Sequence, residues 1–542
     1  MMKFFLNIVF TVALALLFSP AMAEEDSFAQ LLNELGGTNL SKKATALDQL
    51  AQLDDDRVLP TLEALMNNAL YQQKSDNQFV FAESAVDGMK ITSVVTGAVL
   101  GEAVSSRDLR KIITNNSLRS RARNLVAATR LMNKKAEVRE AAALELIKSP
   151  NIEFLQPLDN AIAKEKVPAI QQALQVARGA ITLDHPEEIE RLKAVQAMDG
   201  FEHKQVITLL EQRLQKNADG SFVEPSALVR TTAQEVVDGL KRSEFFYKII
   251  EDTFFGLSLG SVLLLAAVGL AITFGVMGVI NMAHGEMIML GAYTTYVVQL
   301  LMPNHIGASL IVAVPAAFLV AGLMGVIIER GVIRFLYGRP LETLLATFGI
   351  SLILQQLVRT IFSPLNRSVI TPEWMSGSLE INGFLSLTYN RLYIVLFALA
   401  VLFGLMLLLK KSFFGLQMRA VTQNRAMASS MGIRTGWVDA MTFGLGSGIA
   451  GIAGVALSQL TNVGPNLGQA YIIDSFMVVV FGGVGNLWGT FVAAMGLGVA
   501  NKFIEPLSGA VLAKILMLVF IILFIQRRPR GLFALKGRFV EG

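Results

Sequence analysis

From residue 254 to residue 525 the chain is a succession of apolar runs, and this constrains its fold more than any other feature. Runs at 254–277, 286–302, 306–328, 343–362, 392–409 and 438–460 are followed by shorter ones at 472–481, 487–503 and 510–525. In lipid every backbone polar group must be satisfied internally, so the pattern predicts an all-α polytopic bundle of about 8 to 9 spans. The stretch 472–503 reads as two spans or as one span with a re-entrant piece. Its Gly482-Gly483-Val484-Gly485-Asn486 interruption suits a discontinuous helix lining a cavity.

The rest of the chain is different in kind. Before residue 251 there are 29 basic and 32 acidic residues, and after residue 250 there are 18 and 11. A mildly acidic domain over residues 24–245 therefore precedes a basic membrane domain over 250–542. The basic residues of the second half cluster at 330–339, 410–434 and 527–538. The positive-inside rule makes these loops cytoplasmic and gives the net charge of +4 a topological reading, not a nucleic-acid one. The absence of cysteine excludes disulfides, thiolate metal sites and cysteine catalysis.

At the N-terminus, Lys3, an apolar run to Phe18 and Ala21-Met22-Ala23 before Glu24 have the layout of a secretory signal peptide over residues 1–23. The acidic domain would then be extracytoplasmic and the protein a multi-pass component of the inner membrane. Within that domain apolar residues recur at helical spacing, and a weak repeat is visible. Ala46, Leu47, Leu50, Pro60, Ala64 and Leu65 return as Ala143, Leu144, Ile147, Pro157, Ala161 and Ile162. A stack of HEAT-like helix pairs is expected, with a small strand pair at 78–82 and 90–95. Such a stack is usually a docking surface.

Two segments of the membrane half carry candidate functional residues. The first, residues 269–293, places Asn281, His284 and Glu286 in a glycine-rich apolar stretch. Ionisable groups at membrane depth are costly and mark pathways or protein interiors, so these three, with Gly482, Gly483 and Gly485, are candidates for a translocation path or its gate. His284 and Glu286 could equally close a helix break by hydrogen bonding. Glu286 must be paired, protonated or close to an interface; the order of spans favours the cytoplasmic interface. The second segment, residues 410–436, is polar, but Met418, Val421, Met427 and Met431 form an apolar stripe that stops at Gly432. A short amphipathic helix there suits a groove on a partner, with lipid as the competing surface.

Four stretches, in this order, resemble the permease subunits of branched-chain amino acid type ABC importers. They are residues 269–293, MRAVTQNRAMASSMGI at 418–433, FMVVVFGGVGNLWGT at 476–490 and RRPRGLF at 527–533. The domain before them is a departure from ordinary amino acid permeases and resembles the UrtB-type permeases of urea importers. The resemblance implies an importer permease moving a small polar solute, urea first and a branched-chain or other amino acid as the alternative. It also implies a coupling helix over residues 419–432, with Arg419, Ala420, Gln423, Asn424, Met427, Met431 and Gly432 seated in an ATPase subunit.

No phosphate-binding loop of the G-x-x-x-x-G-K-[ST] type occurs, so ATP hydrolysis must be supplied by other chains. The expected partners are two cytoplasmic ATPase subunits, a second permease subunit, an extracytoplasmic solute-binding protein, the small-molecule substrate and membrane lipid, with no nucleic acid. No catalytic constellation, cofactor site or metal site is expected; His284 has no second ligand near it in sequence. A stand-alone channel or secondary transporter would leave the 410–436 segment without a purpose; a membrane sensor whose outer helical stack binds a ligand is the third reading.

Overall fold

The computed structural model describes residues 19–533 apart from 38, 54, 86 and 87. The chain divides after Ser243 into two compact units.

In the first unit, helices α1 (Ser19–Gly36), α2 (Leu40–Leu50) and α3 (Val58–Met66) precede five strands: β1 (Leu70–Gln73), β2 (Phe79–Ala85), β3 (Gly88–Ser93), β4 (Val99–Val104) and β5 (Leu109–Lys111). They form one antiparallel sheet in the order β4-β3-β2-β1-β5. Asn77 (φ 58) and Gly97 (φ 69) supply the left-handed turns of two hairpins, their amides bonding to Gln73 O and Ser93 O at 3.0 Å. Phe79 packs with Phe28, Leu32 and Leu47, whereas Val80 joins Ile91 and Leu109 in a second small core. Successive residues of β2 thus feed opposite faces, as the pleat requires.

Six helices follow: α4 (Asn116–Leu131), α5 (Ala136–Lys148), α6 (Leu155–Lys164), α7 (Pro168–Thr182), α8 (Glu188–Ala197) and α9 (Lys204–Leu214). The all-α expectation is therefore wrong for this unit. The expected strand pair exists, shifted by a few residues, but belongs to a five-stranded sheet. Strands such as LYQQ and LRK carry no apolar alternation and are made by pairing, not by local pattern. The two copies of the sequence repeat fall on α2–α3 and α5–α6, and the sheet and α4 interrupt the expected continuous stack.

Three arginines repeat one device. The Nη1 of Arg139, Arg191 and Arg230 donates to the carbonyls five and six residues upstream, at 2.7–3.0 Å. Arg139 and Arg191 also fork onto Glu165 and Glu224. Each fork ties a helix start to a later loop through charge-assisted bonds. The expected leader lies mostly on residues 1–18, outside the described residues. The backbone is helical from Ser19, so the expected cleavage point after Ala23 falls within α1.

The boundary between the units falls inside α10 (Ala227–Met277). The second unit continues with α11 (His284–Leu301), α12 (Ile306–Gly331), α13 (Pro340–Phe362), a hairpin of β6 (Ser378–Glu380) and β7 (Ser386–Thr388), and α14 (Tyr389–Lys411). Then come α15 (Phe413–Gln423), α16 (Arg425–Ser430), α17 (Thr435–Ser458), α18 (Leu467–Gly482), α19 (Leu487–Ser508) and α20 (Ala510–Arg527). Among the described residues seven helices, α10, α12, α13, α14, α17, α19 and α20, are long and apolar enough to cross a membrane, and α18 is a shorter apolar helix. Residues 472–503 thus belong to two separate helices.

Helices α10 and α17 are central. Each has 83% of its apolar window buried, against 17–33% for the other five. Glycine explains the close approach: a Cβ on Gly451 would lie 2.6 Å from Ala317 O of α12, and one on Gly446 would lie 2.6 Å from Gly269 O of α10. The outer helices keep apolar faces exposed, including Ile311, Leu323, Leu396 and Phe403. That is the surface a lipid solvent permits.

Candidate functional site

The chain breaks between α10 and α11. Gly278, at φ 67, ends α10 by donating its amide to Phe274 O at 3.0 Å. Asn281 then makes an Asx turn, its Oδ1 accepting from Ala283 N at 3.0 Å, and Thr347 Oγ1 of α13 accepts from Met282 N at 3.1 Å. These bonds let the chain re-enter a helix at His284 without exposing backbone donors to an apolar interior.

Asn281, His284 and Glu286 are all buried, at 1%, 0% and 1% exposure. His284 Nε2 lies 2.8 Å from Ala266 O of α10; a carbonyl only accepts, so Nε2 carries the proton and Nδ1 presents a lone pair. Glu286 Oε1 accepts from Ser351 Oγ at 2.8 Å and from Gln355 Nε2 at 2.7 Å, both on α13. One carboxyl oxygen of Glu286 is thus held by two neutral donors. Each of the three side chains keeps one buried atom without a partner: Asn281 Nδ2, His284 Nδ1 and Glu286 Oε2. Structural demands are met by one end of each group, and the other end is left over. Desolvated, unpaired polar atoms are unfavourable and call for an explanation such as a solute or water that visits them.

Gly482 ends α18, and Gly483 and Gly485 lie in the turn between α18 and α19. The break expected there is present, and residues 531–533 pack against it. Leu532 N and Phe533 N donate to Phe481 O and Gly482 O at 2.9 and 3.2 Å, capping the end of α18. Asn486 Nδ2 donates to Phe533 O at 3.3 Å. A Cβ on Gly483 (φ 104) would stand 2.7 Å from Phe533 O, and one on Gly275 of α10 would stand 2.6 Å from Gly485 Cα. The sequence motifs at 476–490 and 527–533 are thus two halves of one clasp.

The expected coupling helix over 419–432 is two helices. Asn424 leaves helical geometry (φ −153, ψ 101) and its Oδ1 caps α16 by accepting from Met427 N at 2.9 Å. An Asn side chain competes with the backbone in this way, which is why the apolar stripe alone misread the break. Gly432 sits at φ 86, as a helix stop requires. The stripe also divides. Met418 and Val421 are buried in the bundle, whereas Met427 and Met431 are 61% and 77% exposed.

Sequence reasoning overlooked the anchor of this segment. Arg425 forks onto Asp439 of α17, with Nη1–Oδ1 at 3.2 Å and Nη2 bonded to Oδ2. Its guanidinium lies 3.9 Å from the centroid of the Tyr337 ring, and Tyr337 Oη donates to Asp439 Oδ1 at 3.4 Å. Asp439 is 1% exposed. A lone acid in an apolar run was the available signal, because such a group needs a cation.

Comparison with known proteins covers this second unit. The family described as branched-chain amino acid transport system / permease component matches residues 253–525. The chain belongs to this permease family. LivH, a high-affinity branched-chain amino acid transport permease of Salmonella typhimurium, is 32% identical over 306 residues, 54% of this chain and 97% of the relative. BraD of Pseudomonas aeruginosa, named for the same transport, is 28% identical over 295 residues, 53% of this chain and 96% of the relative. A probable LivH of Methanocaldococcus jannaschii is 26% identical over 291 residues, 50% of this chain and 88% of the relative. No solved structure matches the chain significantly. The protein is an ABC transporter permease of the branched-chain amino acid type, and such permeases imply ATPase, solute-binding and second-permease partners.

Proposed function

We propose that the second unit forms the translocation path for a small polar solute along the break between α10 and α11. The carrying observation is the set of unpaired buried atoms Asn281 Nδ2, His284 Nδ1 and Glu286 Oε2. They offer a donor and acceptors beside the central helices, while Ala266, Ser351 and Gln355 hold His284 and Glu286 in place. Solute passing the break exchanges hydrogen bonds with these atoms, and ATP-driven movement of the coupling segment rocks the helices between outward-open and inward-open states. Residues 419–432 seat in an ATPase subunit through Met427 and Met431, an exposed apolar pair beside Arg419 and Gln423. The first unit lies outside the membrane as a docking domain of helices and one five-stranded sheet.

The relatives' names favour a branched-chain amino acid as solute over urea. Urea stands as the second reading on one observation: the unit before Glu244, likened to that of urea-importer permeases, has no counterpart in relatives matched over 96–97% of their length. Urea also needs only neutral donors and acceptors, whereas a zwitterion asks for two opposite charges. Uptake of labelled leucine and labelled urea by cells expressing the complete transporter separates the two. Leucine uptake abolished by deleting this chain is the expected result; urea uptake with no leucine uptake would transfer the assignment to urea.

A further inference from the structure

The polar groups around the break continue toward the far end of α13. Gln355 Nε2 donates to Glu286 Oε1 at 2.7 Å, so the face of α13 that carries Gln355 looks onto α11. Two turns further along that face Phe362 packs on Tyr293 of α11, with ring centroids 4.8 Å apart. Residues three and four apart are neighbours on a helix surface, which puts Arg359, four residues after Gln355, beside this seam. The start of α18 fixes Arg359 from the other side: its Nη2 donates to Asn466 Oδ1 at 2.7 Å. Two residues after Asn466 the backbone of Gly468 meets that of Gly285, where a Cβ would lie 2.6 Å from Gly468 O. Both elements that hold Arg359 therefore touch α11 at Gly285 or Glu286.

Arg359 is a cation without a carboxylate. A guanidinium offers five N–H donors, and among the described residues the bond to the neutral Asn466 is the only one Arg359 makes. Arg359 is partly exposed and Asn466 is exposed, at the end of α13 remote from the basic loop 330–339, so a solute can reach the guanidinium. Along the seam two further groups are left over: Glu286 Oε2 and Tyr293 Oη are buried without a partner. An unpaired cation and an unpaired carboxyl oxygen beside one seam match the two charged ends of a zwitterion, whereas urea carries no charge for the cation to meet. We infer that Arg359 receives the carboxylate of an α-amino acid at the entrance to the path. Asn466 holds the guanidinium in place, and Glu286 Oε2, further in, accepts from the ammonium group. The inference rests on reading the break between α10 and α11 as the translocation path, and it assigns the solute to the amino acid class.

The test uses Arg359→Gln, Arg359→Lys and Asn466→Ala in the assembled transporter, reading maximal uptake of labelled leucine, membrane abundance and ATPase co-purification. Arg359→Gln removes the charge but keeps a donor for Asn466, and is expected to lower uptake about tenfold at normal abundance and ATPase retention. Arg359→Lys restores the charge and should bring uptake to within about threefold of wild type. Asn466→Ala removes the bond and leaves the charge, so it should cost less than about threefold. A merely structural role for the Arg359–Asn466 bond would make Asn466→Ala fall as far as Arg359→Gln. That result, or wild-type uptake in Arg359→Gln, overturns the proposal. If Arg359→Gln fails to reach the membrane, Arg359→Lys decides: its recovery sustains the role of the charge, and a tenfold loss at normal abundance overturns it. Asn281→Asp, which keeps the Asx turn but replaces the unpaired Nδ2 donor, is the separate control for the path. If it transports normally, the path reading fails; if it loses uptake while Arg359→Gln transports normally, the path stands and the carboxylate role falls. Urea uptake with no leucine uptake likewise leaves the path in place and overturns the amino acid assignment.

Discussion

Gly269 of α10 and Gly446 of α17 face each other so closely that neither position has room for a Cβ: one on Gly446 would lie 2.6 Å from Gly269 O, and one on Gly269 would meet Gly446 O. The same hypothetical Cβ on Gly269 would come within 2.9 Å of His284 Cε1. The contact between the two central helices therefore also sets the position of the His284 ring. Gly269→Ala is expected to cost about 1–3 kcal/mol by overpacking and to displace His284 from Ala266 O. Thermal unfolding in detergent and solute uptake should both decline, and wild-type values in both would contradict the packing described.

Glu286→Gln keeps an acceptor oxygen for Ser351 and Gln355 but turns the unpaired end into a donor. The expected outcome is a lower maximal uptake rate with the half-saturating concentration changed by less than about twofold, because the solute-binding protein dominates capture. A large change in solute preference at unchanged rate would instead make Glu286 a recognition residue.

Gly483→Val should open the clasp. A β-branched residue at φ 104 is strained, and its Cβ would collide with Phe533 O. A loss of more than about 1 kcal/mol is expected. Truncation before Gly531 should reproduce much of it, since the caps on Phe481 O and Gly482 O go with the tail. Faster proteolysis at the α18–α19 turn in both variants would be the sign.

In the first unit the Arg139 fork holds the Glu165 carboxyl at about 2, below its ordinary 4.5. A depressed carboxylate contributes stability in full above its unfolded value, so the contribution is complete above about pH 4.5 and is lost as pH falls toward 2. Arg139→Ala should cost about 2 kcal/mol at neutral pH and flatten the acid side of the stability profile. Far-ultraviolet circular dichroism of residues 27–243, followed from pH 7 to pH 3, would measure both effects.

The apolar runs, the glycine stop at Gly432, the Asn281-His284-Glu286 triplet and the two motifs of the clasp were all legible in the sequence. Hydrophobic length and turn chemistry are local properties, and the bilayer leaves a helical chain few alternatives. The partners of buried polar groups were not legible. Glu286 Oε1 is held by Ser351 and Gln355, more than 60 residues away. Arg425 is held by Asp439 and Tyr337 from two other elements, and the 482–486 turn is packed by residues 531–533. Strands β1, β4 and β5 of the first unit's sheet escaped for the same reason. Such short strands exist only through their pairing, and a buried group's partner depends on which distant segments the packed backbones bring together.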